Sequence, residues 1–248
     1  MASEIIATVF KDTKPEGPSK PVGKPVDAIS LEKLEERKSI KLGKKFNLVP
    51  APNADKRSTF LISGKSGSGK SYLANQIAGL WKKLNPDGEM YLITLKPPEE
   101  NSSLDVEQFI NLPINEEFVL QKLTPAHFPN DCLILFDDFD SIVDKKQRKA
   151  VYGLIDNCLR VGREHGISVI LTNHQLNEGM KTRNFIHECS RICIFPKVTP
   201  AHFLNSFCTR YLGLPKSEIE VMKKLDTRWV CISPADQFIL YQKGAYMM

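Results

Sequence analysis

The chain has 248 residues, 42% of them hydrophobic and 25% charged, and its formal net charge is +5. This composition is typical of one folded domain with a good core, and the mildly basic charge permits nucleic acid as a partner without requiring it. No apolar run is long enough for a membrane-spanning helix, and the amino terminus lacks a signal-peptide core. We therefore expect neither a membrane-spanning nor a secreted protein, but one of the cytosol or nucleus.

Residues 1–57 differ in composition from the rest of the chain. The stretch "KDTKPEGPSKPVGKPVDAIS" is rich in Pro, Lys and Gly and has no hydrophobic periodicity. Such a composition is typical of extended or partly disordered chain. We predict an N-terminal arm over 1–57, with a short helix in "LEKLEERKSIKL", followed by one domain over 58–248.

From Thr59 onward, strand and helix patterns alternate. Buried strands are predicted at 59–64, 89–96, 132–137, 167–173 and 191–196. Helices are predicted at 71–84, 145–162, 200–211 and 215–225, with one or two short helices between 97 and 130. The closing segments "RWVCIS" and "QFILYQ" predict a C-terminal β-hairpin. This alternation predicts an α/β fold with a mainly parallel central sheet flanked by helices.

The six cysteines form no CxxC pair, and most lie inside apolar stretches. They are expected to be small buried hydrophobic residues in a reducing compartment. The alternative is a zinc site in "HECSRIC", built from His187, Cys189 and Cys193. A fourth ligand and tight spacing are missing, so an ordinary strand with its flanking loop is favoured.

One short segment matches GxxxxGK[ST], the pattern of the phosphate-binding loop, or P-loop. It reads "GKSGSGKS" and comprises Gly64, Lys65, Ser66, Gly67, Ser68, Gly69, Lys70 and Ser71. It joins a predicted strand to a predicted helix, where glycines let backbone N–H groups and the helix N-terminus face phosphate oxygens. Lys70 would reach the β- and γ-phosphates, and the Ser71 hydroxyl would bind Mg²⁺. The segment predicts nucleoside triphosphate binding, with ATP and Mg²⁺ as the cofactors.

A second motif, "CLILFDDFD" at 132–140, ends a buried strand with adjacent aspartates. Buried carboxylates are unfavourable unless a cation or a hydrogen bond meets them, and the P-loop supplies such a partner. Asp137 fits the Walker B aspartate that holds Mg²⁺ opposite Ser71, and Asp138 fits the general base that polarises the attacking water. Asp140 is expected to be an ordinary N-terminal residue of the following helix. The alternative is that all three aspartates are surface residues that only cap nearby backbone.

Several classes of P-loop protein share these two motifs. The guanine-reading NKxD motif and the LSGGQ-like signature of transporter ATPases are both absent. A predicted strand separates the two motifs along the chain, as in ATPases with a catalytic carboxylate beside the Mg²⁺-binding aspartate. The next strand ends in "TNHQ", so Asn173, His174 and Gln175 are candidates for a γ-phosphate sensor, and only one of them can fill that role. Asn173 and Gln175 are the predicted sensors, with plain strand-end residues as the alternative.

The second half of the chain carries a family resemblance. "NCLRVGREHGISVILTNHQLNEGMKTRNFIHECSRICIFPK", "RYLGLPKSEIEVMKKLDTRWVCIS" and "FILYQKGAYMM" resemble the DNA-packaging ATPases of large double-stranded DNA viruses and virophages, in the FtsK/HerA superfamily. The resemblance covers roughly residues 58–246. It implies a RecA-like ATPase core that assembles into a ring and threads double-stranded DNA into a preformed capsid. Many relatives have Glu where this chain has Asp138, whose carboxylate is one methylene closer to the backbone.

The same resemblance implies capsid or vertex proteins as partners, and a location in the host cytoplasm, a viral factory or the virion. Ring ATPases commonly use an arginine from a neighbouring subunit to stabilise charge on the transferred phosphoryl group. The candidates are Arg160, Arg163, Arg183 and Arg228. Arg163 and Arg183 are preferred because they flank the strand that ends at the sensor.

DNA contacts are expected to be independent of sequence and made by lysines to phosphates. Possible sources are "DKKQRK" at 144–149, for which a solvated helix face is the alternative, and "KPP" at 96–98. Three rival functions are another ATP-driven DNA motor such as a helicase or replication initiator, a small-molecule kinase, and a non-hydrolysing nucleotide-binding scaffold. A kinase would need a lid with phosphate-binding arginines between 97 and 130, where the sequence has none.

Overall fold

The computed structural model describes residues 57–96, 104–175, 180–235, 238–242 and 244–247, together with the backbone of four short earlier strands. Those strands are β1 (Ile5–Phe10), β2 (Pro25–Ser30), β3 (Ser39–Lys41) and β4 (Asn47–Leu48). The predicted helix in "LEKLEERKSIKL" falls mainly on residues 31–38, outside the described part, and residues 39–41 are strand instead. The division of the chain at residue 57 stays a prediction.

The following strands and helices belong to the main domain. The strands are β5 (Thr59–Ser63), β6 (Met90–Thr94), β7 (Ile110–Pro113), β8 (Leu133–Phe136), β9 (Ser168–Asn173), β10 (Arg191–Ile194), β11 (Val230–Ser233), β12 (Phe238–Tyr241) and β13 (Gly244–Met247). The helices are α1 (Lys70–Leu84), α2 (Glu116–Gln121), α3 (Lys145–Arg160), α4 (Met180–Glu188), α5 (Ala201–Tyr211) and α6 (Lys216–Lys224). No helix of the described residues is long and apolar enough to cross a bilayer.

One sheet runs through the domain and has a parallel and an antiparallel half. In the described part of the chain it contains ten strands, in the order β3-β13-β12-β11-β10-β5-β9-β8-β6-β7. The strands from β10 to β7 pair in parallel, and those from β3 to β10 pair antiparallel. The predicted fold is therefore confirmed: a RecA-like P-loop core with a mainly parallel sheet, followed by antiparallel C-terminal strands.

The parallel strands are apolar on both faces because helices cover both. Successive residues of β5 enter different cores: Phe60 lies in one cluster with helix α1, and Leu61 lies in the other with helix α3. Helix α1 contributes Trp81 to the first cluster, and α3 contributes Leu154 to the second. This layering explains why the strands read as continuous hydrophobic runs rather than as alternating patterns.

Besides the four early strands, three elements of the described residues after Arg57 were not predicted from sequence patterns. Strand β7 is a partly exposed edge strand that ends at Pro113, and proline is a common signal for a loop. Helix α4 begins at Met180, in a stretch too polar to show a clear apolar stripe. Strand β13 extends the predicted hairpin to a third strand after Gly244. All six cysteines are buried and free, as expected from their apolar neighbours.

Candidate active site

The P-loop joins the carboxyl end of β5 to the first residue of α1. Gly69 precedes the helix with φ 102°, a left-handed conformation that favours glycine, and no side chain caps the helix N-terminus. The first N–H groups of α1 therefore have no partner from a capping side chain, which is the arrangement that binds phosphate. A Cβ on Gly64 would lie 2.7 Å from the side chains of Phe195 and Ser68, so only glycine fits there.

The acidic motif lies two strands away from the P-loop, at the same edge of the sheet. Strand β9 separates β5 from β8 and runs parallel to both, so all three carboxyl ends meet at one edge. Gly64 N donates a hydrogen bond of 3.1 Å to Asn173 O, which ties the start of the P-loop to the end of β9. The order of the strands thus brings the P-loop, the predicted sensors and the aspartates together.

Asp137 is held by hydroxyl groups from both neighbouring elements. Thr172 Oγ1 donates to Asp137 Oδ1 at 2.8 Å, and Ser71 Oγ donates to the same oxygen at 3.4 Å. The other oxygen, Oδ2, is buried without a hydrogen-bond partner, and Lys96 Nζ lies 3.8 Å from it. The pairing of Ser71 with Asp137 is the one that the sequence predicts for a metal site.

Asp138 is fixed by its backbone and surrounded by cationic groups. Its φ of 48° is left-handed, and its N–H donates to Thr172 Oγ1 at 2.7 Å. Lys70 Nζ lies 3.6 Å from Asp138 Oδ1, while Lys96 Nζ forms a hydrogen-bonded ion pair with Oδ2. The predicted base and the P-loop lysine are therefore in direct electrostatic contact.

His174 links the acidic motif to the end of β9. The ring Nε2 lies 3.7 Å from Asp138 Oδ1, and the ring Nδ1 lies 3.2 Å from Asp140 Oδ1. The backbone N–H of His174 donates to Asp140 Oδ2 at 2.7 Å. The expectation for Asp140 was wrong, because helix α3 is capped by Asp144, whose Oδ1 accepts from Gln147 N. Asp140 holds His174 in place instead.

The two predicted sensors occupy different environments. Asn173 is fully buried, its Nδ2 donates to Gln175 O at 2.7 Å, and its Oδ1 has no hydrogen-bond partner. The Gln175 side chain is exposed. Both residues stay candidates, but His174 is the member of this group that approaches Asp138.

The candidate arginines lie in different places. Arg163 is exposed in the turn before β9, at the edge opposite to the P-loop, and Arg183 is exposed on α4. An arginine that acts on the ATP of a neighbouring subunit must be exposed on its own chain. Both residues meet this requirement, and both assignments stay predictions. Arg160 forms an exposed ion pair with Asp156 at 3.1 Å. Arg228 lies on the P-loop of its own chain, with Nε donating to Ser68 O at 3.1 Å.

Lys96 is a residue of this site whose contact with the aspartates sequence patterns missed. It follows strand β6, which pairs with the strand that carries Asp137 and Asp138. Because the carboxyl ends of parallel strands meet at one edge, a cation directly after β6 had to lie near these carboxylates. The sequence predicted strand β6 but not its place in the strand order, so Lys96 was assigned only to a possible DNA contact.

Burial and charge act differently on the two aspartates. Desolvation by burial, with the neighbouring Asp138 charge, raises the pKa of Asp137 above its ordinary value. Burial also opposes ionisation of Asp138, but the hydrogen bond from Lys96 and the charge of Lys70 outweigh it and lower the pKa. Of the two aspartates, Asp138 is therefore the one whose ionised form the surroundings favour.

The oxygen atoms around Ser71 and Asp137 fit a magnesium ion. Mg²⁺ is usually held by one or two carboxylates, hydroxyl or water oxygens and the substrate phosphates. Here the Ser71 hydroxyl and the Asp137 carboxylate meet beside the P-loop, and Asp137 Oδ2 is buried without a hydrogen-bond partner. The chemistry of these donors therefore matches the metal that the sequence predicts.

Comparisons with known proteins identify relatives in both sequence and structure. The family model of the NACHT domain matches residues 58–190. Uncharacterized protein V3 of the Sputnik virophage is 36% identical over 201 residues, which are 79% of this chain and 80% of V3. The predicted resemblance to virophage proteins is confirmed by this relative.

Two solved structures share the fold at low identity. B204, the DNA-packaging ATPase of Sulfolobus turreted icosahedral virus, matches with a TM-score of 0.52 at 17% identity, over 76% of this chain and 98% of B204. The type VII secretion ATPase EccC of Thermomonospora curvata matches with a TM-score of 0.55 at 15% identity, over 85% of this chain and 29% of the EccC chain. These likenesses establish the fold.

The NACHT match includes the P-loop, Lys96, the acidic motif and the end of β9, which together form the site described above. A nucleotide-binding loop and an ionised carboxylate beside its lysine are the parts that ATP hydrolysis requires. The chain is therefore an ATP-hydrolysing enzyme. It belongs to the NACHT-domain family of P-loop ATPases and shares a family with the virophage protein V3.

Proposed function

We propose that the chain is a motor that uses ATP hydrolysis to move double-stranded DNA into a viral capsid. The observation that carries this proposal is the match to B204, a DNA-packaging ATPase, over 98% of its length. The chain thus corresponds to nearly the whole of that protein, whereas it corresponds to 29% of the EccC chain. The virophage relative V3 supports a viral setting, with the host cytoplasm, a viral factory or the virion as the location.

The site residues take the following roles in this proposal. Gly64 to Ser71 bind the phosphates, with Lys70 on the β- and γ-phosphates. The attacking water bonds to the γ-phosphorus, the bond to the leaving ADP oxygen breaks, and the water proton passes to Asp138. Asn173 or Gln175 senses the γ-phosphate. Mg²⁺ held by Ser71 and Asp137 neutralises phosphate charge when it is bound.

An assembled ring completes the proposed motor. The resemblance to the FtsK/HerA superfamily implies such a ring, in which Arg163 or Arg183 of one subunit acts on the ATP of the next. Capsid or vertex proteins are the proposed docking partners. DNA is contacted through phosphates, for which the exposed Lys145, Lys146 and Lys149 of α3 are available.

The rival functions predict different features. A kinase needs phosphate-binding arginines in its lid, and residues 97–130 contain none. A helicase or replication initiator shares the motor core but separates strands or binds a specific site. A scaffold that binds nucleotide without hydrolysis conflicts with the contact between Lys70 and Asp138.

The proposal is tested by the rate of ATP hydrolysis with and without long double-stranded DNA, with Asp138→Asn as the control of low residual rate. We expect DNA to stimulate the rate, and we expect the protein to displace a triplex-forming strand from linear DNA as it moves. A rate that does not respond to DNA would contradict a DNA motor. Displacement of one duplex strand would favour the helicase alternative.

The ring is tested separately by measuring the size of the protein with a non-hydrolysable ATP analogue. A monomer would count against an arginine from a neighbouring subunit.

A further inference from the structure

Lys96 contacts two of the three carboxylates of the acidic motif, and the hydrolysis scheme gives it no role. Its Nζ forms a hydrogen-bonded ion pair with Asp138 Oδ2 and lies 3.8 Å from Asp137 Oδ2. The Asp137 side chain is 0% exposed, the Asp138 side chain 11% and the Lys96 side chain 40%. The carboxylates of this contact are therefore buried, and the lysine reaches them from a position partly open to solvent, unlike a fully solvated surface ion pair.

The two oxygens of Asp138 have different surroundings. Oδ2 is held by Lys96, whereas Oδ1 is buried, has no hydrogen-bond partner, and points toward Lys70 Nζ at 3.6 Å and His174 Nε2 at 3.7 Å. Lys70 is the P-loop lysine, so Oδ1 faces the side of the site where phosphate binds. One oxygen is anchored and the other faces the position of the reaction.

The reach of an aspartate is one methylene shorter than that of a glutamate, so the orientation of its carboxylate decides whether an oxygen reaches the water. The backbone of Asp138 is fixed by the bond from its N–H to Thr172 Oγ1. Its carboxylate can still rotate about the two side-chain bonds, and the bond from Lys96 to Oδ2 restricts both rotations.

We propose that Lys96 is a positioning residue for ATP hydrolysis, which anchors Oδ2 of Asp138 so that Oδ1 faces the attacking water. In the reaction the water oxygen bonds to the γ-phosphorus, ADP leaves, and the water proton passes to Oδ1 while Lys96 stays on Oδ2. This inference rests on the role of Asp138 as base. It does not depend on DNA or on a capsid, so all of its tests use ATP alone.

The first test replaces the lysine with a side chain of similar length and no charge. Because a base displaced by about 1 Å can lower a rate by about 100-fold, we expect Lys96→Met to lower kcat roughly 10- to 100-fold. The KM for ATP and the affinity for a fluorescent ATP analogue are expected to change less than about threefold, because Lys96 contacts no part of the P-loop. Lys223→Met, which breaks the exposed pair with Glu220 on α6, is the matched control.

The second test separates positioning from general stabilisation. In a double-mutant cycle, Lys96→Met is expected to lower kcat no further when Asp138 is already Asn, since the base that it positions is gone. A variant that keeps the donor, Lys96→Arg, is expected to have a rate between those of Lys96→Met and the natural protein. Thermal unfolding of each variant identifies any that fails to fold.

Either of two results would overturn the inference. The first is an unchanged kcat in folded Lys96→Met. The second is an equal fall in kcat on the natural and Asp138→Asn backgrounds, since Lys96 would then act independently of the base. If Lys96→Met does not fold, the decision passes to Lys96→Leu, which also lacks a donor and for which a natural kcat or equal falls on both backgrounds would contradict positioning.

Discussion

The two halves of the central sheet share the same two hydrophobic clusters but differ in chemistry. The parallel strands β5, β8 and β9 end at the P-loop, the aspartates and the sensor candidates, all at one edge. The antiparallel strands β11, β12 and β13 also contribute apolar side chains to these clusters. They reach the site through Arg228, which precedes β11 and donates to Ser68 O.

The difference follows from strand direction. Parallel strands all end at the same edge, so residues that follow them gather there however far apart they are in sequence. Antiparallel strands alternate in direction, so only every second strand end can approach the P-loop. The comparison predicts that substitutions in the parallel half affect both stability and catalysis, whereas substitutions in the antiparallel half affect stability, with Arg228 as the exception.

The largest effect is expected for the P-loop lysine. Lys70→Met removes the cation that faces the phosphates, and loss of one such electrostatic group lowers kcat by roughly 100- to 1,000-fold. Steady-state ATP hydrolysis measures the change. Lys82→Met is the control, because Lys82 lies near the other end of α1, with its Nζ donating to Gly88 O at 2.8 Å. If Lys70→Met retained more than a tenth of the rate, the location of the active site would be wrong.

The sequence predicted the parallel half better than it predicted the contacts at its edge. The P-loop and the Walker B aspartates are continuous motifs that follow apolar strands, so both could be recognised locally. Lys96 and His174 gain their roles from strand order, which brings β6 and β9 beside β8. No local pattern encodes that order, so the sequence offered His174 only as a sensor candidate and Lys96 only as a possible DNA contact, and the contacts of both with Asp138 emerged from the sheet.

Arg228 shows the same limit from the antiparallel side. The sequence offered it as one of four arginines, and the preference for Arg163 rested on its closeness along the chain to the sensor strand. The structure places Arg163 before β9, at the opposite edge, because the two ends of a strand lie on opposite sides of the sheet. Arg228 is far from the P-loop in sequence and beside it in space.

A pair of phenylalanines, one in each half, tests the comparison directly. Phe136 in β8 and Phe238 in β12 are both fully buried, and replacing a buried Phe by Ala destabilises a protein by about 3–5 kcal/mol. We expect both variants to lose this much in urea unfolding. At a temperature where both are folded, Phe136→Ala should lower kcat about tenfold or more, because Phe136 lies two residues before Asp138 and a displaced base loses rate.

Phe238→Ala is the matched control for that pair. Its kcat should stay within about twofold of the natural value, because the described side chains of β12 form no hydrogen bond or ion pair with Asp137 or Asp138. Equal losses of kcat in the two variants would remove the distinction between the halves. Equal retention would mean that β8 tolerates the cavity without moving Asp137.

A smaller effect is expected where the antiparallel half touches the P-loop. Arg228→Met removes the hydrogen bond to Ser68 O, and a bond with one charged partner is worth about 1.5–3 kcal/mol. We expect the affinity for ATP to fall about tenfold as the loop loosens, since 1.4 kcal/mol is a factor of ten. Isothermal titration with an ATP analogue measures this, and Arg160→Met is the control on an exposed pair. An unchanged affinity would show that the P-loop keeps its shape without the antiparallel half.

The smallest effect is expected at the proposed DNA contact on α3, the helix that joins β8 to β9 in the parallel half. Lys145 and Lys149 are exposed, and Lys149 borders cavities of about 490 and 390 Å³ on either side of the helix. If both lysines bind phosphates, replacing both by Gln lowers the salt dependence of DNA binding by roughly two in the log–log slope. Fluorescence anisotropy at several salt concentrations measures the slope, and ATP hydrolysis without DNA should not change. Lys216→Gln with Lys224→Gln, on α6, removes the same charge elsewhere. Equal slopes for the two double variants would mean that α3 contributes net charge alone and that DNA is contacted by another surface.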